Sequence, residues 1–164
     1  MELNTEKLAL DAIDLRILEQ LQTDSSISNQ DLAAKVHVSP PTCLRRVKRL
    51  TELGVIERHI AVLNPQKLAS LIGHGLTAIV EVTLTEQSSQ VLSAFEARIA
   101  PERAVQQCYR VSSGPDFVLI VHVRDMPDYL ALVQRVLTTD AQVRNVKAYF
   151  SILRSKFEPH LPVN

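Results

Sequence analysis

The chain has 164 residues, enough for one ordinary domain or two small ones. Lys+Arg and Asp+Glu both number 18, so the formal net charge is zero. That excludes a globally basic nucleic-acid coat, and any binding of a polyanion must rest on local clustering. Hydrophobic residues make up 46% and charged residues 22%, the balance of a soluble globular protein with a real core. The most apolar stretch, FVLIVHV at 117–123, is far shorter than the roughly 20 residues that span a bilayer. The opening MELNTEKLALDAID has no basic region followed by an apolar run, so no signal peptide is expected and the expected location is cytoplasmic. Cys43 and Cys108 form no CxxC-type pair and read as free thiols in a reducing compartment. The five histidines (His37, His59, His74, His122 and His160) lack metal-ligand spacing, and no cofactor is expected.

The first third has a helical pattern. Leu10, Ile13, Ile17, Leu18 and Leu21 follow the spacing of a one-sided helix. Asp11 and Asp14 suit its first turn, where the helix dipole favours negative charge. After the polar break TDSSIS, Ser28 is placed to cap a short second helix, NQDLAAKV, with Asp31 completing an approximate capping box. Leu32, Ala33 and Val36 are its inward residues. In the turn that follows, His37 occupies a position that often needs positive φ, which histidine tolerates better than most residues. Ser39 then caps a third helix, with Pro40 at the first helical position and Pro41 still inside the first turn, where missing N–H donors cost little. Gly54 is its natural stop.

This third helix gathers Arg45, Arg46, Lys48 and Arg49 within five positions. At about 100° per residue with Leu44 at zero, Cys43, Val47, Leu50 and Thr51 fall within roughly 120° on one side. The four cations occupy the other side, in an arc of about 160°. A solvated surface helix would mix its signs, yet the first acid after Asp31 is Glu52. Three compact helices joined by short turns, with a cationic flank on the third, form a helix-turn-helix whose second member enters the DNA major groove N-terminus first. The expected DNA-binding set is Ser39, Pro40, Thr42, Arg45, Arg46, Lys48 and Arg49, with arginine suited to guanine O6 and N7 and the remaining cations to phosphates.

Beyond this unit, RHIAVL has strand character and leads into NPQ, and Pro65, Gly73 and Gly75 mark a boundary near 64–75. LTAIVEVTL alternates, with Leu76, Ala78, Val80, Val82 and Leu84 on one face. EQSSQVLSAFEARIA reads as a helix with Val91, Leu92, Phe95 and Ile99 inside. AVQQCYRVS is a strand, SSGPD a turn and FVLIVHV a strand. PDYLALVQRVLTT is a helix starting at Pro127, and VRNVKAYFSIL a fourth strand. Two β-α-β passages of this kind assemble most economically as an antiparallel four-stranded sheet with both helices on one face, the ferredoxin-like arrangement. The expected fold class is therefore α+β. A winged-helix-like helix-turn-helix domain with its linker strand occupies 1–63, and a ferredoxin-like βαββαβ domain occupies 64–164.

The residues D-x-x-D-x-x-I-L, SN-x-x-LA-x-x-V-x-x-S and C-x-x-R-V-x-x-L-x-x-x-G-x-I stand in the order found in the Lrp/AsnC, or feast/famine, transcription factors, and AVLNP resembles their linker strand. The resemblance covers nearly the whole chain. It implies a regulator of double-stranded DNA that dimerises through the C-terminal sheet, with dimers assembling into octamers and a small amino acid bound between dimers. It also implies an effector loop at Ser112, Ser113, Gly114 and Asp116. The usual Gly-Asp-aromatic-Asp is replaced here by Ser113-Gly114-Pro115-Asp116, in which only the last acid remains. Asp116 can hold the ammonium of an amino acid, or the segment can be a plain turn.

The sequence supports a homodimer independently. FVLIVHV is apolar at all but one position, and Ile79 and Tyr149 interrupt outward positions that are otherwise polar. An antiparallel sheet with one wet face alternates more cleanly, so a second copy is the simplest cover. Two other functions stand beside the sequence-specific regulator. One is an effector-independent architectural protein that wraps DNA. The other is an enzyme, which would need converging nucleophilic or acid-base groups; Cys43 lies on the packed side of its helix and Cys108 has no evident histidine partner, so no catalytic residue is assigned.

Overall fold

The computed structural model describes residues 9–73, 75–139 and 142–163. Residues 1–8, part of the stretch read for a signal peptide, lie outside the described residues, as does His74. The chain divides into two compact units. One comprises Met1–Val62 together with Lys156–Asn164, and the other Leu63–Ser155. Residues 156–163, expected with the second domain, group with the first unit in the fold.

The first unit is a trio of helices. α1 (Ala12–Thr23) starts at Asp11, whose side chain accepts from the Ile13 and Asp14 N–H groups while the Asp14 carboxylate reaches back to the Asp11 N–H, a complete capping box. α2 (Asn29–Val36) starts at Ser28, which accepts from the Asp31 N–H. It ends at His37 with φ 59° and ψ 49°, the left-handed conformation that the turn requires and that only a minority of non-glycine residues adopt. α3 (Pro40–Glu52) follows at once. Ser39 precedes it without making a side-chain capping bond; its Oγ lies 2.8 Å from Thr42 Oγ1 instead. Ile17, Leu18, Leu32, Ala33, Val36, Cys43 and Leu50 make the core.

The C-terminal tail closes this core. Val163 packs against it, and Gln22 clamps the tail backbone in both directions: its Nε2 donates to the Leu161 carbonyl at 3.0 Å and its Oε1 accepts from the Leu161 N–H at 2.7 Å. His160 Nε2 lies 3.2 Å from Glu19 Oε2.

RHIAVL does not form the expected strand, and no strand follows α3 before residue 76 among the described residues. β-branched residues alone do not make a strand without a ladder partner, and this segment has none among the described residues. Residues read as a boundary form a short helix instead, α4 (Pro65–Ile72), capped by the Asn64 side chain and begun by Pro65.

The second unit holds β1 (Leu76–Leu84), α5 (Ser89–Ile99), β2 (Val105–Arg110), β3 (Phe117–Val123), α6 (Met126–Val133) and β4 (Val143–Phe150). Asp125 caps α6 one residue earlier than expected, and a π-helical turn, Gln134–Thr138, prolongs it. β4 stops at Phe150, short of the SIL expected within it. The sheet order is β2-β3-β1-β4 with every neighbour antiparallel, the ferredoxin-like topology. The alternating face of β1 packs with Phe117, Leu119 and Val121 against Phe95 and Ile99 of α5 and Tyr129 and Leu132 of α6. Phe95 and Phe117 stack with ring centroids 4.5 Å apart. Burial of such side chains stabilises the unit by about 1.5–3 kcal/mol each.

Candidate nucleic-acid interface

α3 has two lateral faces with different tasks. Cys43 and Leu50 are fully buried. Leu44, which the helical wheel placed at the margin of the packed arc, is 59% exposed. The apolar contact of α3 with α1 and α2 is centred on Cys43, Val47 and Leu50.

The four cations of α3 also divide. Arg46 Nη1 donates to Asp14 Oδ1 and to Asp11 Oδ2, both at 2.8 Å, and Arg49 Nη1 donates to Asp14 Oδ2 at 3.0 Å. Arg49 Nη2 also reaches the Ala9 carbonyl at 3.2 Å. The Asp14 side chain is 1% exposed, so both its oxygens are spent on arginine. The Asp11 carboxyl is held below the usual carboxylate range, first by the Asp14 N–H and then by the Arg46 guanidinium. The same acids push Arg46 further up, so it stays charged. Arg46 and Arg49 therefore staple α3 to the start of α1, where a freely outward orientation was expected of them. A matched spacing was present in the sequence: acids three residues apart at 11 and 14, arginines three apart at 46 and 49. Only the tertiary fold shows that these pairs face each other.

Arg45 and Lys48 project to solvent. Arg45 has no ion pair among the described residues, and Lys48 meets only Glu52, one helical turn on at 3.7 Å. Ser39 and Pro40 are exposed at the leading end and Thr42 is half-buried beside them. The Asn29 side-chain amide donates to the Pro40 carbonyl at 2.9 Å, fixing the start of α2 against the start of α3.

In the second unit, Ser112, Ser113 and Gly114 are exposed in the turn between β2 and β3, where Gly114 has φ 89°, a backbone that favours glycine. Asp116 points inward and is 6% exposed. Its carboxylate accepts from the Leu84 N–H at 2.7 Å, and its own N–H donates to the Val82 carbonyl at 2.9 Å. This locks the β2–β3 turn to the end of β1. Among the described residues, no group of three or more His, Cys, Asp or Glu is placed to hold a metal. Cys43 is buried and Cys108 exposed, both unpaired, and burial raises both thiols. No described helix is long and apolar enough to cross a membrane.

Residues 10–57 match the family model for winged helix-turn-helix DNA-binding, and residues 77–161 match that of the Lrp/AsnC ligand binding domain. A leucine-responsive regulatory protein from Haemophilus influenzae is 41% identical over 141 residues, covering 86% of this chain and 82% of that protein. The chain belongs to the Lrp/AsnC family of DNA-binding transcriptional regulators. A leucine-responsive regulatory protein from Rhizobium meliloti is similar to this Lrp/AsnC chain over 92% of its length and 94% of that protein, at 39% identity. Among solved structures, an AsnC family transcriptional regulator from Agrobacterium tumefaciens superposes with a TM-score of 0.79 at 32% identity, covering 94% of this chain and 97% of that one. A transcriptional regulator from Neisseria meningitidis, solved as a complex with L-methionine, gives a TM-score of 0.79 at 26% identity, covering 95% and 98%.

Proposed function

We propose that this Lrp/AsnC regulator reads its operator with the outward side of α3, through Ser39, Pro40, Thr42, Arg45 and Lys48, while Arg46 and Arg49 hold that helix at a fixed rotation. The observation that carries this is the division of the cations, with Arg46 and Arg49 committed to Asp14 while Arg45 and Lys48 are exposed along the outward side of the helix. Arg45 is suited to a guanine edge and Lys48 to a phosphate. The neutral net charge fits a regulator whose basic surface is confined to this patch.

The relative solved with L-methionine supports a small amino acid as effector. In this chain the exposed main chain at Ser112, Ser113 and Gly114 is the better-placed part of the expected loop, because the Asp116 carboxylate is already bonded to the β1 backbone. The open sheet face supports a homodimer: Ile79 is 41% and Tyr149 43% exposed there, and Ile79 stands in register with Ile120 on one side and Tyr149 on the other. Octameric assembly and a cytoplasmic location complete the reading. An effector-independent DNA-wrapping protein would share α3 and the sheet face.

Footprinting on the chain's own promoter region, with and without each common amino acid, tests this. A bounded footprint that changes with one amino acid is expected. Protection without boundaries, indifferent to every amino acid, would favour the wrapping protein.

A further inference from the structure

Leu44 is an apolar side chain with 59% of its surface exposed, on the helix that must face DNA. Isolated surface leucines are ordinary and need no explanation. This one has a defined neighbourhood. Pro41, Leu44, Arg45 and Lys48 are spaced three, four and seven positions from the first, so they form one longitudinal stripe, and all are exposed. Leu44 is the fifth residue of α3, in the N-terminal part that enters a groove most deeply. No acid interrupts the stripe before Glu52.

The staple fixes which side of α3 is presented. Arg46 and Arg49 are tied to Asp14 on one flank, and Cys43 and Leu50 are buried on the other. The helix cannot roll Leu44 into the core without breaking both. The major-groove floor carries one apolar group, the 5-methyl of thymine, and apolar side chains recognise it by contact. With a cation beside it and another one turn on, Leu44 is presented where that methyl would lie.

We propose that Leu44 is a specificity-determining residue that selects thymine through its 5-methyl group in the major groove. This rests on α3 being the DNA-reading helix, and the experiment separates the two.

The full-length protein is used to select a preferred site from a random duplex library, and each thymine of that site is replaced singly by deoxyuridine, which lacks only the methyl. At one thymine, or one in each symmetric half, the parent should lose about fourfold in affinity, the equivalent of one buried methyl group. Leu44→Ala should show no deoxyuridine penalty at that position, and Leu44→Met, which keeps the apolar bulk, should retain it. If every deoxyuridine substitution affects parent and Leu44→Ala equally while Arg45→Ala still changes the preferred site, the inference about Leu44 falls and the reading of α3 survives. If Arg45→Ala, Lys48→Ala and Leu44→Ala all bind the selected site like the parent, α3 does not read DNA and both fall. A lower mass for Leu44→Ala in light scattering, without any change in deoxyuridine sensitivity, would assign Leu44 to contact between copies of the chain and overturn the proposal.

Discussion

The staple at Asp14 makes a prediction that divides the cations of α3 quantitatively. Asp14→Ala removes the acceptor that Arg46 and Arg49 share, leaving Arg46 with Asp11 and Arg49 with the Ala9 carbonyl, and removes the half of the capping box that returns to the Asp11 N–H. Removing one partner of a fully buried ion pair costs about 3–5 kcal/mol. Here the arginine side chains keep 21% and 39% of their exposure and recover some hydration, so we discount the loss to about 2–3 kcal/mol. Arg46→Met leaves Asp14 paired with Arg49 and should cost less, about 1–2 kcal/mol. Arg45→Ala touches no partner and should stay within about 0.5 kcal/mol of the parent. Hydrogen exchange read on peptides from α1 and α3 of the full-length protein measures the opening of this unit separately from the sheet. The order Asp14→Ala, Arg46→Met, Arg45→Ala from largest to smallest loss is expected. Equal protection of α1 and α3 in the Asp14→Ala variant and the parent would refute the staple.

Three further outcomes follow from the same geometry. Arg45→Ala should lose base discrimination of about 1–3 kcal/mol, seen as a degenerate position in a selected binding site, with the fold intact by circular dichroism. Truncation after Glu158 removes the two-way bond between Gln22 and Leu161 and takes Val163 from the helical core. Exchange of α1 should then quicken by the equivalent of about 1–3 kcal/mol, with the sheet unchanged; loss of protection in the sheet alone would contradict the assignment of the tail. Ile79→Lys places a charge in the exposed apolar row shared with Ile120 and Tyr149, and light scattering should report monomer where the parent is a dimer or a multiple of it.

The second unit was the more legible in sequence because its periodicities answer to one local geometry. Every other residue of β1 from Leu76 to Leu84 faces the helices, and the spacing of Phe95 and Ile99 points α5 back at them. Ser28 marked the start of α2 as a cap and Ser39 with Pro40 the start of α3, although Ser39 makes no side-chain capping bond; Asp11 was read for the helix dipole and proves to be the cap of α1, and the left-handed His37 was legible from the turn it must make. RHIAVL misled because strand formation depends on a partner that composition does not reveal. α4 was hidden by Pro65 at its start and by Gly73 and Gly75 just beyond its end, which read as a boundary although Asn64 and Pro65 are a good helix start. The staple was invisible for a different reason. A helical wheel sorts residues by angle on one helix and carries nothing about which cation meets an acid on another.

The staple also bears on how many copies must hold the DNA. Each phosphate neutralised by a cation steepens the salt dependence by about 0.9 in log Kd against log salt. If Arg45, Arg46, Lys48 and Arg49 all gripped the backbone, one α3 would contribute about 3.6 to that slope. With Arg46 and Arg49 committed to Asp14, and Arg45 on a base edge, one α3 contributes close to one. On the proposed reading such a unit would bind weakly on its own, which favours two or more copies on one operator. The variants separate these cases without knowledge of the other contacts. Lys48→Ala should reduce the slope by about 0.9 for every α3 engaged, so the size of the drop counts the copies on the DNA. Arg49→Met should lower affinity through a looser helix yet leave the slope where it was. A drop in slope for Arg49→Met as large as that for Lys48→Ala would mean that DNA phosphate displaces Asp14 from Arg49, and that the staple opens on binding.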